Sequence, residues 1–278
     1  MPFSRKHLVR LTAAFSLIAA LGCAALLLLA PEQPRAAGRD FAGQPLRVGV
    51  PWLPPPDAPD SRLYLEEGFE LDFAGEIAAA LGAELRLARV QPEDADRALS
   101  AGEVDLVVSR AGTGDPMRGK ARIITTGFTS GLSLAMRSDR PLDSWSALAG
   151  RTVCAVEANA RARALVERLG ATVKVLRAPA PALILMRTGD CDAAILDQTL
   201  LDPLLKMRSW QKFSATLPPQ EPTTLVVAVP PGDAGLAQAV AAALSPLDTR
   251  ERWRGREERW AATVSFEVYR DQVAADCH

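Results

Sequence analysis

From residue 46 onward the chain alternates between two hydrophobic rhythms. Short apolar runs, "LRVGV" (46–50), "VDLVV" (104–108), "RTVCAV" (151–156) and "DAAIL" (192–196), have the length and β-branched content of buried strands. Between them, Phe69, Phe73, Ile77 and Leu81 recur at helical spacing in "FELDFAGEIAAALG", and Gly82 provides the stop. "ELRLARV" alternates in period two, as a half-covered strand does, and "PEDADRALSAG" reads as a helix opened by proline. The first β-α-β-α-β unit thus fits within about 65 residues, and its crossovers predict a parallel sheet.

A second unit follows. "RTVCAV" is the strand, "NARARALVERLG" the helix ending at Gly170, and "TVKVLR" the next strand. "APALILMRTG", "DAAIL" and "DQTLLDPLLK" continue as helix, strand and helix. "LSLAMRSD" before this unit and "TTLVVAVPPGD" after it read as extended connectors, and "AGLAQAVAAALSPL" returns to helix. Two α/β units joined by two crossings predict two lobes with a hinge. Open parallel sheets bind ligands beyond the carboxyl ends of their strands, so facing lobes would enclose a cleft for a small molecule.

The first thirty residues change the compartment. Arg5, Lys6 and Arg10 precede the uncharged run Leu11–Ala30. A basic start followed by an apolar core is the pattern of an export signal, here long enough to span a bilayer. Residues 1–37 are expected to be a cleaved signal peptide or a membrane anchor through residues 11–30, with the remainder exported in both cases, the alternative being a cytosolic protein that buries this apolar helix. Removing that segment subtracts four basic residues (Arg5, Lys6, Arg10, Arg35) and one acidic residue (Glu32). The 32 basic and 33 acidic residues become 28 and 32, a net charge of −4. This surface argues against a nucleic-acid partner. The only histidines, His7 and His278, lie at the extremes, which excludes histidine triads and histidine-built zinc sites from the core.

Four cysteines, 23, 154, 191 and 277, allow three pairings. Cys23 falls in the signal or anchor and Cys277 in the terminal tail, while Cys154 in "RTVCAVE" and Cys191 in "GDCDAAILD" both read as lying in core strands. In an oxidising compartment the last two are expected to bridge, with roughly 3–4 kcal/mol of stabilisation on the chain-entropy model, the alternative being two buried thiols.

Six blocks in order, "LRVGV", "GFELDFAGEIAAALG", "ALSAGEVDLVVS", "LAGRTVCAVEANA", "GDCDAAILDQ" and "VVAVPPGDAGLAQAV", resemble the bacterial extracellular solute-binding proteins of the amino-acid type, which feed ABC importers. The resemblance runs from Leu46 to about Trp260. It implies an α/β two-lobe fold of the type 2 periplasmic-binding-protein class, with two parallel-sheet lobes joined by a two-strand hinge. On that reading lobe 1 comprises 45–136 plus 225–260, lobe 2 comprises 137–224, and 261–278 form a C-terminal tail. Cysteines before "AV" and "DAA" occur in a branch of the family, which implies the same bridge.

The stretch "GTGDPMRGKA" (112–121) can be read two ways. As a phosphate loop, Gly114-x-x-x-x-Gly119-Lys120 lacks the hydroxyl after its lysine, since Ala121 stands there, and Pro116 removes an N–H donor. As a family block it implies that Arg118 grips a ligand carboxylate with its planar fork, that Thr113 assists, and that the Ala111 backbone accepts from an ammonium. Asp197, at the end of "DAAIL", matches the family's carboxylate for the ligand's ammonium, and it could equally cap the following helix. Asn159, where Ala158-Asn159 replaces the family's Gly-Thr pair, is expected to cap its helix and to present amide groups to a carboxylate. Trp52 in "PWLPPP" stands where the family has a tyrosine-type aromatic. Glu157 adds a carboxylate near the cleft mouth.

These features predict a monomeric periplasmic protein that captures a small polar ligand, an amino acid or related carboxylate, for an ABC importer. They call for no cofactor, metal or catalysis. The alternative is a membrane-tethered sensor, or an accessory to a periplasmic enzyme, built on the same fold. A dehydratase, as in a few relatives, would need Glu157 or Asp197 as its acid or base. Trp253 and Trp260 are expected to pack the last helix onto lobe 1. Residues beyond Trp260 carry no assignment, and Cys277 is either a tether or free.

Overall fold

The computed structural model describes residues 41–53, 64, 69–113, 115, 117 and 121–271. The segment 1–37, Cys23, the loop positions Gly114, Pro116, Arg118, Gly119 and Lys120, and Cys277 lie outside the described residues. Among the described residues, no helix is long and apolar enough to cross a membrane.

Strand β1 (Pro45–Val50) pairs in parallel with β2 (Glu84–Arg89) on one side and β3 (Leu106–Ala111) on the other. Helices α1 (Phe69–Ala80) and α2 (Ala95–Ser100) make the crossovers. The second unit repeats the plan. There β5 (Thr152–Val156) lies parallel to both β6 (Thr172–Leu176) and β7 (Ala193–Asp197), with α3 (Ala160–Arg168) and α4 (Pro179–Thr188) between them and α5 (Gln198–Leu204) following. Helices α6 (Ala234–Leu244) and α7 (Arg250–Asp271) complete the chain.

The two crossings are longer than the sequence pattern indicates. Strand β4 (Arg122–Met136) begins well before "LSLAM". Its first half pairs with β8 (Gln220–Val229) and its second half with β7, all antiparallel. With β8 also antiparallel to β3, the two lobes become one mixed sheet of order β2-β1-β3-β8-β4-β7-β5-β6. The parallel core of each lobe is edged by a crossing strand, which is the two-strand hinge of the two-lobe fold. A bulge interrupts the β4–β8 register between Thr125 and Thr129. It is pinned by Thr126 Oγ1 donating to the Leu225 carbonyl at 2.8 Å and by the Gly127 amide donating to both Asp248 carboxylate oxygens at 2.8 and 3.0 Å.

Local chemistry sets the element ends. Gly82 and Gly189 stop their helices in the left-handed region, at φ +66° and +92°, which a side chain disfavours. Asn159 Oδ1 accepts the Ala162 amide at 3.0 Å and Asp233 Oδ1 accepts that of Leu236 at 2.8 Å, each meeting a helix-start donor. Strand β7 is buried at all five positions, as a parallel strand covered on both faces should be. The edge strand β6 carries the exposed Lys174, a charge that discourages pairing with another chain.

The expected bridge is present: Cys154 in β5 and Cys191 just before β7 are disulfide-bonded, with Cα atoms 5.8 Å apart. Trp253 and Trp260 pack as expected onto lobe 1, where Phe69, Phe73 and Phe128 receive them at ring separations of 4.7–5.1 Å. The residues beyond Trp260 differ from the sequence reading. They continue α7 to Asp271 and bury Ala261, Val264 and Val268, each apolar side chain of valine size stabilising by about 1.5–3 kcal/mol. This second half of α7 reaches α4 and α5, and Trp210 Nε1 donates to Ser265 Oγ at 2.9 Å. One helix therefore touches both lobes.

Candidate functional site

Two parallel pairs of strands, β1 with β3 and β5 with β7, run towards each other and direct their carboxyl ends into one cleft of about 600 Å³. The residues that follow those ends line it: Pro51 and Trp52 after β1, Gly112 and Thr113 after β3, and Glu157 to Asn159 after β5. Asp197, the last residue of β7, closes the floor. The first turn of α1 and the start of β8 complete the walls through Glu70 and Glu221–Thr223. This is where open α/β sheets place ligands, because loops and helix amino ends converge there.

The floor is ionic. Arg110, near the end of β3 in lobe 1, donates from Nη1 to Asp197 Oδ1 at 2.9 Å and from Nε to Glu70 Oε1 at 2.8 Å. Its guanidinium also lies 5.4 Å from the centre of the Phe128 ring. Asp197 Oδ1 is further approached by Arg161 Nη2 at 3.5 Å and by Ser130 Oγ at 3.4 Å. The Asp197 side chain is 3% exposed and that of Arg110 is 12% exposed. Burial makes this contact consequential, since removing one member of a buried ion pair strands the other's charge, at about 3–5 kcal/mol. Because β3 and β7 belong to different lobes, the Arg110–Asp197 pair is also a contact between lobes.

Arg161, on the first turn of α3, donates from Nη1 to the Glu221 carbonyl at 2.6 Å and to Thr223 Oγ1 at 2.9 Å. Glu221 holds a backbone φ of +48°, a conformation that costs a non-glycine residue about 1–3 kcal/mol. Its side chain pairs with Arg168. Strain at a cleft wall, tied down on both sides by arginines, fixes the direction of that carbonyl.

The sequence-selected residues fall as follows. Trp52, Thr113, Asn159 and Asp197 all line the cleft. Trp52 carries the Arg89 guanidinium 5.5 Å from its ring centre. Asn159 caps α3, as expected. Asp197 makes no side-chain cap on α5, and its carboxylate faces the arginines. Ala111, the last residue of β3, is buried among Met117 and Val226 in the lobe 1 core, and Gly112 forms the neighbouring wall. Arg118 lies outside the described residues, and Asp115 beside it accepts the Met117 amide at 3.0 Å. Glu157 is exposed at the cleft.

Arg110, Arg161 and Glu70 were not singled out in the sequence. A signal for Arg110 existed, namely a cation inside the apolar strand run "DLVVSRA", where an unpaired charge would not be tolerated.

A two-lobed α/β chain with strand ends converging on a cleft lined by charged side chains defines a ligand-binding fold of the periplasmic type. Residues 48–263 match the profile of the bacterial extracellular solute-binding proteins, family 3, and the chain belongs to that family. Among solved structures it is similar to the ligand-binding core of GluR0 in complex with L-glutamate, with 17% identity, a TM-score of 0.55, and 79% of this chain and 99% of that one covered. It is also similar to the amino acid ABC transporter substrate-binding protein AbpA of Streptococcus pneumoniae bound to L-arginine (18%, TM-score 0.53, 79% and 95% covered). An ancestral arginine-binding protein bound to arginine is a third (20%, TM-score 0.52, 79% and 99% covered). At these identities the likeness concerns the fold. No curated protein sequence matches the chain.

Proposed function

We propose that this chain is a periplasmic solute-binding protein that captures a small polar ligand, an amino acid or related carboxylate, and delivers it to an ABC importer. The observation that carries the proposal is the cleft itself, whose walls come from both lobes and which is walled by four arginines, Arg89, Arg110, Arg161 and Arg163. Membership of an extracellular family and the buried Cys154–Cys191 disulfide support an exported, oxidising location. The solved relatives that bind arginine and glutamate favour a solute of that size.

In this reading Trp52, Thr113 and Asn159 contact the solute, the Ala111–Gly112 backbone borders it, and Arg118 supplies a carboxylate clamp. Asp197 holds the floor. Lobe 1 corresponds to 45–136 plus 225–260 and lobe 2 to 137–224. The protein works as a monomer and leaves its solute chemically unchanged.

A thermal-shift screen of the purified protein against amino acids and small carboxylates tests this. A solute at 100 times its Kd stabilises by about 2.7 kcal/mol, about 5–10 °C for a domain of this size. Arg118→Ala should abolish the shift. No shift from any solute, or consumption of the solute on incubation, would count against the proposal.

A further inference from the structure

We infer that the cleft supplies its own cation where an amino acid would bring its ammonium, so that its guest is a small carboxylate bearing an oxo or hydroxyl group in place of the amino group. This rests on the solute-binding reading above and narrows the solute class.

The argument concerns which charges of the cleft are already matched. Its lining includes five acidic side chains, Glu70, Asp115, Glu157, Asp197 and Glu221. Three are in ion pairs with arginines: Glu70 and Asp197 with Arg110, and Glu221 with Arg168. Asp115 is turned to its own loop, accepting the Met117 amide at 3.0 Å. Glu157 is exposed. Among the described residues, the cleft carboxylates buried against a guanidinium are therefore Glu70 and Asp197, and Arg110 joins them at 2.8 and 2.9 Å.

An ammonium needs a desolvated carboxylate to replace its hydration. To reach Asp197 it would have to share the carboxylate with Arg110, which already holds Oδ1 in a contact whose side chains are 12% and 3% exposed. Arg161 stands on the other flank of Asp197 Oδ1 at 3.5 Å, so the approach lies between two like charges. A keto or hydroxyl oxygen faces no such conflict, because guanidinium N–H groups donate to it. The carboxylate end of the guest meets a favourable wall. The amino end of α3 is positive by its backbone dipoles, and Arg161 and Arg163 sit on its first turn. Among the described residues, the buried Arg163 Nε has no hydrogen-bond partner, which leaves that guanidinium's charge uncompensated at Nε.

The test uses the purified full-length protein and matched pairs that differ at one group: L-glutamate and 2-oxoglutarate, L-aspartate and malate, L-alanine and lactate. Dissociation constants come from titration calorimetry. In the pair of the right size, the oxo or hydroxy acid should bind at least tenfold more tightly than its amino counterpart. Arg110→Met, which removes the internal cation and exposes Asp197, should shift that ratio at least tenfold toward the amino acid. Tighter binding of the amino member by the wild type would overturn this inference and leave the solute-binding reading intact. So would a folded Arg110→Met protein, checked by circular dichroism, with an unchanged ratio. If that variant does not fold, the wild-type ranking decides alone. Binding of no solute from either class would overturn both readings.

Discussion

Removing the Cys154–Cys191 bridge is the perturbation whose size follows most directly from the structure. The bond joins β5 to the entry of β7 and closes a loop of 37 residues that contains α3, β6 and α4. On the chain-entropy model a closed loop of that length restricts the unfolded chain by about 4 kcal/mol at 25 °C. Alanine is the suitable replacement at both positions. The residues are 0% and 1% exposed within the main apolar core, where serine would bury a hydroxyl. For a domain of this size each kcal/mol displaces Tm by about 2–4 °C, so Cys154→Ala/Cys191→Ala should melt roughly 8–16 °C below the oxidised wild type. Urea denaturation should place its midpoint correspondingly lower. Wild-type protein melted in excess reductant, with its thiols left unmodified, should approach the variant. A Tm within 2 °C of the wild type would refute the reasoning, because it would mean that the lobe 2 sheet restrains this loop equally well without the bond.

Two further expectations test the hinge and the α5–α7 face. At Gly131, in β4 beside the crossing, an added Cβ would lie 2.9 Å from Pro219 Cβ and 3.0 Å from the Gln220 carbonyl oxygen, so Gly131→Ala should cost about 1–3 kcal/mol in urea denaturation, and an unchanged midpoint would show that the crossing yields freely. Burial, reinforced by Asp202 and Glu258, raises the pKa of Glu257, so the folded state binds this proton more tightly than the unfolded state does. The resulting stability is fully present below the unfolded carboxylate pKa, about 4.3, and is lost as pH rises through the folded value. Glu257→Gln should therefore raise Tm at about pH 7 and leave it unchanged at about pH 3.5; an equal gain at both would assign the effect to packing instead.

The elements legible in the sequence are those whose stability is local. "FELDFAGEIAAALG" declares its buried face by spacing and its end by Gly82, and the structure follows both. The second half of α7 carried a comparable signal in Trp260, Ala261, Val264 and Val268. It becomes a definite face only because α4 and α5 of the other lobe are there to cover it. The start of β4 was obscured for a different reason. "RIITTGFTS" contains a bulge held by Asp248, more than a hundred residues later, and its polar alternation follows a hinge ribbon rather than a core strand.

The cleft divides along the same line. Trp52, Thr113, Asn159 and Asp197 could be located because strand ends and helix starts are sequence features, and all four line the cavity. The partner of Asp197 could not. Arg110 lies 87 residues away on the other lobe, and only the crossing of β4 and β8 brings the two within 2.9 Å. Charge pairs of that kind depend on tertiary proximity, about which composition and periodicity are silent.

Hydrogen–deuterium exchange on the protein saturated with its tightest carboxylate tests the central claim, that one small solute is held between the lobes at the strand ends. The account predicts slowed exchange confined to the segments around 51–53, 110–118, 157–163, 197–199 and 221–223. Saturation with protection elsewhere, or with none at all, would contradict it.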